Sequence, residues 1–217
     1  GSILGFYRAG VQVGSIGTAS GYLTVGGPTL GLKHYNPNNG SHIIHTVEGT
    51  TDRDGVTSLG YAGSRFKDLY LSGGVYLGGT GAANKLSDFE TGSWSPTFGA
   101  STADPTIGYN TQSAVYTKVG NLVSVTCKIV TTTRSGGSGH LSVDGLPFTV
   151  ASNVDSPIYI GFNYNWTTPP NGGSCQQNTT RVILYSSMEN NQPSGSADIV
   201  ASGNSYFVFS ASYRTNS

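Results

Sequence analysis

Charged side chains are scarce in this chain of 217 residues, in which eleven Lys and Arg balance eleven Asp and Glu and together make up 10% of the sequence. Soluble domains typically carry about 25% charged residues. Neither sign is clustered, so the basic surface expected of a protein that binds nucleic acid or an anionic membrane is missing. We therefore expect neither nucleic acid nor lipid as a main partner.

Long apolar runs are also missing. No stretch approaches the roughly 20 apolar residues that span a bilayer, so we expect no membrane insertion. The first ten residues, GSILGFYRAG, lack the apolar core of a signal peptide, and the chain begins without Met. Export through a secretion pathway is therefore not indicated, and the start without Met suggests a fragment or a processed product of a longer chain.

Cysteine is limited to Cys127 and Cys175, which are too few for a disulfide framework. Cys127 has the same strand parity as Val125 and Ile129, so it is predicted to be a buried free thiol. A Cys127–Cys175 bond is the alternative.

Helical periodicity is absent, whereas alternation with period two recurs in almost every segment, so the fold class is all-β. Glycine is frequent, with 32 residues in the whole chain. In the first part of the chain, glycines divide the sequence into strands of a few residues. Four pairs of apolar side chains there each share one strand face: Val11 and Val13, Leu23 and Val25, Leu69 and Leu71, and Val75 and Leu77.

These apolar stripes are too small to close a core within one chain. Three parallel copies would bury them around a threefold axis and would pair their exposed strand edges. We therefore expect a glycine-rich, intertwined trimeric β-shaft over residues 1–90. The alternative is a flexible glycine-rich linker, which would not require apolar residues in alternating positions.

A polar segment inside this region invites a metal hypothesis, because it holds His34, His42, His45, Asp52 and Asp54. Side chains three apart on a strand point to opposite faces, so His42 and His45 would need a turn or symmetry copies to share a metal. We expect exposed or hydrogen-bonded histidines, and hence no metal and no cofactor.

Residues 91–217 carry longer alternating segments, which predict an antiparallel β-sandwich of two packed sheets. The core-facing side chains are expected at Ile158, Ile160 and Phe162 on one strand, and at Phe207, Phe209, Ala211 and Tyr213 on another. The expected strands are Ala114–Thr117, Leu122–Val130, His140–Val143, Phe148–Val150, Ile158–Tyr164, Arg181–Tyr185 and Tyr206–Tyr213.

The segment RFKDLYLSGGVYLGGTGAANK at Arg65–Lys85 runs directly into LSDFETGSWSPTFG. This junction closely resembles the part of bacteriophage tail-fibre proteins that links a glycine-rich shaft to a β-structured C-terminal tip. LGFYRAGVQVGSIGT at Leu4–Thr18 is similar to the shaft of that family, and YTKVGNLVSV, DGLPFTV, ILYSS and FSASYRT resemble strands of its tips. The resemblance covers nearly the whole chain and places the domain boundary near Leu86–Gly92. The hinge positions that match are Asp88, Phe89, Glu90, Gly92 and Trp94.

The resemblance implies a homotrimeric tail fibre of a virion. Its tip, residues 91–217, would bind a bacterial surface glycan or protein, and a further N-terminal region would contact other phage tail proteins. The alternatives are a purely structural tail-fibre or baseplate-associated segment, and a lectin-like module without a virion role.

Receptor contacts are expected on loops, because the strands are committed to the core. The candidate loops are Thr131–Gly139, Asn165–Thr180 and Ser186–Asp198, of which the second contains Trp166. An aromatic face beside amide side chains suits a sugar ring, whose C–H face packs on the aromatic while its hydroxyls pair with the amides. In the alternative interpretation, Trp166 caps the core. The predicted receptor-binding residues are Tyr164, Trp166, Asn171, Gln176, Gln177 and Arg134.

Carboxylates that could cleave a polysaccharide are few in the tip: Asp104, Asp144, Asp155, Glu189 and Asp198. The first three stand in sequence contexts that favour turns. The G-x-S-x-G and H-E-x-x-H patterns are absent, and nothing marks an activated nucleophile. We therefore expect a protein that is not an enzyme and has no catalytic residues.

Overall fold

The computed structural model of the chain describes residues 2–27, 30–35, 42–47, 51–52, 54–55, 57–81, 84–86, 88–153, 155–187, 192–195, 198–199 and 201–216. Over these residues the regular secondary structure is β-strand, with no α-helix, so the all-β prediction is confirmed. No helix capable of crossing a membrane is found in the described part of the chain. Contacts divide the chain into an N-terminal unit, Gly1–Tyr70, and a C-terminal unit, Leu71–Ser217.

The strands of the described residues, in chain order, are β1 (Ser2–Arg8), β2 (Val11–Ala19), β3 (Tyr22–Gly26), β4 (Gly31–Tyr35), β5 (His42–Val47), β6 (Thr51–Asp52), β7 (Val75–Tyr76), β8 (Lys85–Leu86), β9 (Phe89–Trp94), β10 (Thr97–Ala100), β11 (Thr106–Val119), β12 (Leu122–Ser135), β13 (Leu141–Asp144), β14 (Ser156–Tyr164), β15 (Gly172–Gln176), β16 (Arg181–Ser187), β17 (Gln192–Pro193) and β18 (Ser202–Arg214).

The N-terminal unit contains one antiparallel sheet in which β1 to β6 follow each other in chain order. Two-residue turns join its first three strands, at Ala9-Gly10 and at Ser20-Gly21, and all four residues have positive φ. Turns of this handedness match the twist of a hairpin, and glycine at the second position adopts the conformation without steric cost. The short glycine-punctuated strands predicted here are therefore a hairpin meander.

This N-terminal sheet exposes its apolar face. Val25 pairs with Leu32 on the exposed face, whereas Thr24 pairs with Lys33 on the opposite face, where both are buried. Lys33 Nζ forms an ion pair with Asp52 at 2.5 Å, which compensates its burial. A single chain therefore buries polar side chains and leaves aliphatic ones in water.

All four predicted apolar pairs are exposed in the single chain. Leu69 and Leu71 lie outside any strand, so the strand on which this pair was expected is not formed. In the described part of the segment after the meander, β7 pairs with β8 over two residues, and Tyr61 and Ser64 form an isolated bridge. The division into residues 1–90 and 91–217 and the trimeric shaft remain predictions.

The C-terminal unit is built on one ten-stranded sheet in the order β10-β13-β16-β15-β14-β18-β12-β11-β9, with β17 beside β16. The two halves meet at β14, which pairs with β15 at Ser156 and Pro157 and with β18 from Ile158 onward. Side chains from both halves form a single hydrophobic core. The two predicted layers thus belong to one continuous antiparallel sheet that curls around its own core.

Most of the predicted strands of this unit are present, and several are longer than expected. Phe148–Val150 is the exception. Val150 makes an isolated bridge with Thr215 and backbone hydrogen bonds to Asn178 and Thr179, and the backbone of Phe148 bonds to the Tyr213 hydroxyl. Three strands of four or more residues were not predicted: β9, β10 and β15.

β15 runs through the segment predicted as the Asn165–Thr180 loop, and its glycines explain why. A Cβ atom at Gly173 would lie 2.5 Å from the Ile183 carbonyl oxygen and 2.9 Å from Ile158 Cδ1. Glycine therefore lets this strand pack where a side chain would collide, and the sequence shows no apolar alternation to reveal it.

Candidate functional site

One face of the sheet formed by β9, β11, β12, β18 and β14 points away from the core, and we call it the outer face. On β18 the side chains of Phe207, Phe209, Ala211 and Tyr213 are buried, as predicted. The residues between them, from Tyr206 to Ser212, therefore point outward. On β12 the buried Val123, Val125, Cys127 and Ile129 alternate in the same way with outward positions.

A β-bulge at Gly161 brings Phe162 onto this outer face. Tyr159 pairs with Ser210 and Phe162 with Val208, and the register shifts between Ile160 and Phe162. Ser210 and Val208 are two residues apart on one strand, so their partners share a face although they are three apart. The prediction that Phe162 faces the core was wrong, because the extra residue at Gly161 reverses the alternation.

Three aromatic side chains cluster on the outer face, and we call Phe162, Tyr164 and Tyr206 the aromatic patch. Phe162 is 51% exposed and Tyr164 is 60% exposed. Both rings meet Tyr206 edge to face, with centroids 6.2 and 6.0 Å apart. The patch is held on two paired strands of the core sheet, so its rings are presented on a rigid surface.

Trp166 does not belong to this patch. Its indole Nε1 donates a hydrogen bond to the Tyr206 carbonyl oxygen at 2.8 Å, and its ring packs edge to face against Phe98 and Phe207. These contacts are those of a core cap, the alternative considered from the sequence.

Arg134 lies at the same end of the sheet as Trp166. Its Nε donates to the Ile199 carbonyl oxygen at 3.1 Å, and Trp166 forms an isolated β-bridge with the same residue. Asn171 is exposed, and its backbone N–H donates to the Tyr185 carbonyl oxygen at 2.9 Å. Arg134 and Asn171 thus contact backbone carbonyl oxygens, and the Trp166 side chain beside them is half-buried.

Gln176 and Gln177 lie at the other end of β14. The Gln177 backbone N–H donates to Asp155 Oδ1, and its side-chain Oε1 accepts from the Asn153 N–H. Asp155 precedes β14 and Tyr164 ends it, a separation of roughly 25–30 Å at the usual strand rise. The six predicted receptor-binding residues are therefore not brought together, and their role in binding stays a prediction.

Four of the five carboxylates considered for catalysis bond to neighbouring protein groups, and Glu189 lies outside the described residues. Asp104 accepts from the Ala100 N–H, Asp155 from Gln177 and Asp198 from the Gly195 N–H, each at 2.7–3.1 Å. Asp144 forms an ion pair with Arg181 at 2.9 Å. The prediction of a non-enzymatic protein is not tested by these contacts.

The histidines of the polar segment do not form a metal-binding cluster with the described residues. His42 and His45 both lie on β5, and Asp52 pairs with Lys33. Among the residues that the structure describes, no group of three or more His, Cys, Asp or Glu could hold a metal ion.

Both cysteines are free and buried, so the alternative of a disulfide bond was wrong. Burial raises the pKa of the Cys127 thiol to about 12. Burial, with a smaller contribution from Asp155, raises the pKa of Cys175 to about 12. Neither thiol is poised for reaction at neutral pH.

Comparison with known proteins supports the fold. No protein-family model matches the chain, and no curated protein sequence matches it. The crystal structure of the Dettilon tailspike protein (gp208) is similar over 59% of this chain, with a TM-score of 0.50 and 18% sequence identity. The chain spans about a quarter of that protein's length, 24%. At this identity the likeness shows a shared fold.

Proposed function

We propose that this chain is the C-terminal part of a phage tail fibre, located in the virion, and that it attaches the phage to a glycan on the bacterial surface. The observation that carries the proposal is the aromatic patch of Phe162, Tyr164 and Tyr206 on the outer face. The fold shared with a protein named as a tailspike supports it, as does the resemblance of the junction sequence to tail fibres.

The chemistry of the patch suits a sugar. An aromatic ring covers the C–H face of a pyranose, and the tyrosine hydroxyls pair with sugar hydroxyls. These rings are attached to paired strands of the sheet, so little ordering of the backbone is needed on binding. The proposal retains Tyr164 as a predicted receptor contact and adds Tyr206 and Phe162, of which the sequence pattern had assigned Phe162 to the core.

The exposed apolar face of the N-terminal sheet supports self-association. Val25, Leu32 and their neighbours need a partner surface, and copies of the same chain supply one of matching composition. In the proposed homotrimer, three weak sites act together, and such avidity exceeds single-site affinity by roughly 10²–10⁴ where geometry permits.

The test is retention of the purified, labelled chain on a panel of bacterial strains, together with its mass by light scattering. We expect a mass near three times 22.5 kDa. We expect retention to be lost in Tyr164→Ala and Phe162→Ala and kept in Tyr70→Ala, which removes an exposed tyrosine of the N-terminal unit.

Each failure has a distinct meaning. A folded chain that binds no strain would favour the purely structural segment, and a stable monomer would favour a lectin-like module. Retention of both the Tyr164→Ala and the Phe162→Ala variants on cells would show that the receptor site lies outside the aromatic patch. Release of sugar from the bound cells would contradict the expectation that the protein is not an enzyme.

A further inference from the structure

A groove of about 410 Å³ runs along the outer face beside the aromatic patch. We call it the hydroxyl groove, because its outward side chains are Tyr159 and four small hydroxyl residues, Ser124, Thr126, Ser210 and Ser212. The Tyr159 ring is 74% exposed. Tyr159, Ser210 and Thr126 stand side by side on three adjacent strands, so one ring and a row of hydroxyls form a single surface.

Basic residues stand at both ends of this groove. On β12, Lys128 is the next outward residue after Thr126, and it pairs with Val208. On β18, Arg214 is the next outward residue after Ser212, and it pairs with Leu122. Both side chains are exposed, and Arg214 Nη1 donates to Asn121 Oδ1 at 2.7 Å. Lys128 has no ion-pair partner among the described residues.

The described outward positions of these five strands hold no acidic side chain. Glu90 lies on the opposite face and accepts from the Tyr116 hydroxyl. Asp88 precedes β9 and pairs with Lys118, and Asp155 precedes β14 and accepts from the Gln177 N–H. The outer face is therefore positively charged in a protein whose net charge is zero. A ligand complementary to it carries negative charge.

The spacing of the two cations indicates the size of that ligand. Lys128 and Leu122, the partner of Arg214, are six residues apart on β12, which is roughly 20 Å at the usual strand rise. One small anion cannot reach both cations, whereas a polymer with repeated acidic groups can. The groove between them offers hydroxyls for hydrogen bonds and the Tyr159 ring for a sugar face.

We propose that the outer face binds an acidic polysaccharide, with its sugar rings along the hydroxyl groove and its carboxylate or phosphate groups at Lys128 and Arg214. This inference rests on the proposed function and specifies its substrate class. The aromatic patch continues the same surface, because Phe162 shares a row with Val208 and Lys128. An uncharged polysaccharide is the alternative occupant that the experiment excludes.

The experiment measures binding of the full chain to immobilised oligogalacturonate and to the same oligomer after reduction of its carboxyl groups. We expect the acidic oligomer to be retained and the reduced one to be retained less. Lys128→Gln and Arg214→Gln should each weaken binding of the acidic oligomer about two- to fivefold at low salt, an effect that added NaCl removes. Lys67→Gln, which removes an exposed cation of the N-terminal unit, should have no effect.

Equal retention of both oligomers, no retention of either, or indifference to both charge removals would overturn the inference. Retention on whole cells separates this failure from failure of the proposed function. Cell binding that requires Tyr164 but is insensitive to salt and to Lys128→Gln would be consistent with the proposed attachment function and would exclude the acidic ligand. A chain that binds neither cells nor oligomers would contradict both.

Discussion

The ring of Tyr116 lies directly against Gly92 on the neighbouring strand, where a Cβ atom would sit 2.7 Å from both the ring Cε1 and the hydroxyl. The Tyr116 hydroxyl donates a hydrogen bond to Glu90, and its ring meets Phe148 edge to face at 5.3 Å. The Tyr116 ring therefore explains why a glycine, Gly92, follows the acidic-aromatic-acidic motif Asp88, Phe89 and Glu90 at the junction.

Gly92→Ala should destabilise the C-terminal unit by about 1–3 kcal/mol, because the new methyl group displaces a ring held by two further contacts. Urea unfolding followed by tyrosine fluorescence or circular dichroism measures the change. Gly73→Ala is the matched control, since no atom lies within 4 Å of a Cβ there. A loss that persists unchanged when Tyr116 is also replaced by Ala would show that the ring is not the cause.

A second contact of the same motif joins Asp88 to Lys118. The Lys118 side chain is only 6% exposed, and its Nζ pairs with Asp88 and lies 5.3 Å from the centre of the Phe148 ring. Asp88→Asn should cost about 1–3 kcal/mol of unfolding free energy, because it leaves a largely buried ammonium without its counter-ion. Asp68→Asn should cost less than about 0.5 kcal/mol, since its partner Lys67 is fully in solvent. Equal unfolding midpoints for the two variants would contradict this account.

Substitutions of Trp166 and Tyr164 should have different effects, one on the stability of the fold and the other on binding to cells. Trp166→Phe removes the donor to the Tyr206 carbonyl and should destabilise the fold by about 1–2 kcal/mol. Tyr164→Ala removes an exposed ring and should change stability by less than about 0.5 kcal/mol while abolishing retention on cells. A Trp166→Phe variant of unchanged stability that no longer binds cells would instead make Trp166 a ligand contact.

The alternating pattern was a good guide wherever the strands are regular. It placed Phe207, Phe209, Ala211 and Tyr213 in the core because β18 alternates without interruption through these positions. It misplaced Phe162, because a bulge depends on cross-strand pairing that a single strand's sequence does not contain.

The candidate site was harder to predict than the core. Receptor contacts were expected on loops, whereas the exposed rings of Phe162 and Tyr164 lie on paired strands. Gln176 and Gln177 share a sequence loop with Trp166 but lie at the opposite end of β14. Proximity along a chain does not give proximity in a sheet, because β15 is antiparallel to β14 and pairs with it at Ser156 and Pro157, at the end of β14 opposite to Tyr164.

The two buried thiols predict a loss of stability at alkaline pH. Burial raises the pKa of Cys127 and of Cys175 from 9.0 to about 12, so the native chain keeps both protons after the unfolded chain has begun to lose them. Above about pH 9 the unfolded state binds fewer protons, and the unfolding free energy therefore falls as pH rises. Between about pH 8.5 and about pH 10 the loss should be about 1 kcal/mol for each thiol.

Urea unfolding of the chain at these two pH values, compared with the Cys127→Ala, Cys175→Ala double variant, measures this effect. The double variant will be less stable throughout, because both substitutions open cavities, but its stability should depend less on pH. Burial also raises the pKa of Tyr213, whose hydroxyl bonds to the Phe148 backbone, so both proteins should lose further stability if the series is extended above about pH 10. An identical pH dependence in the two proteins would show that the thiols ionise equally in the folded and unfolded states and are accessible to water.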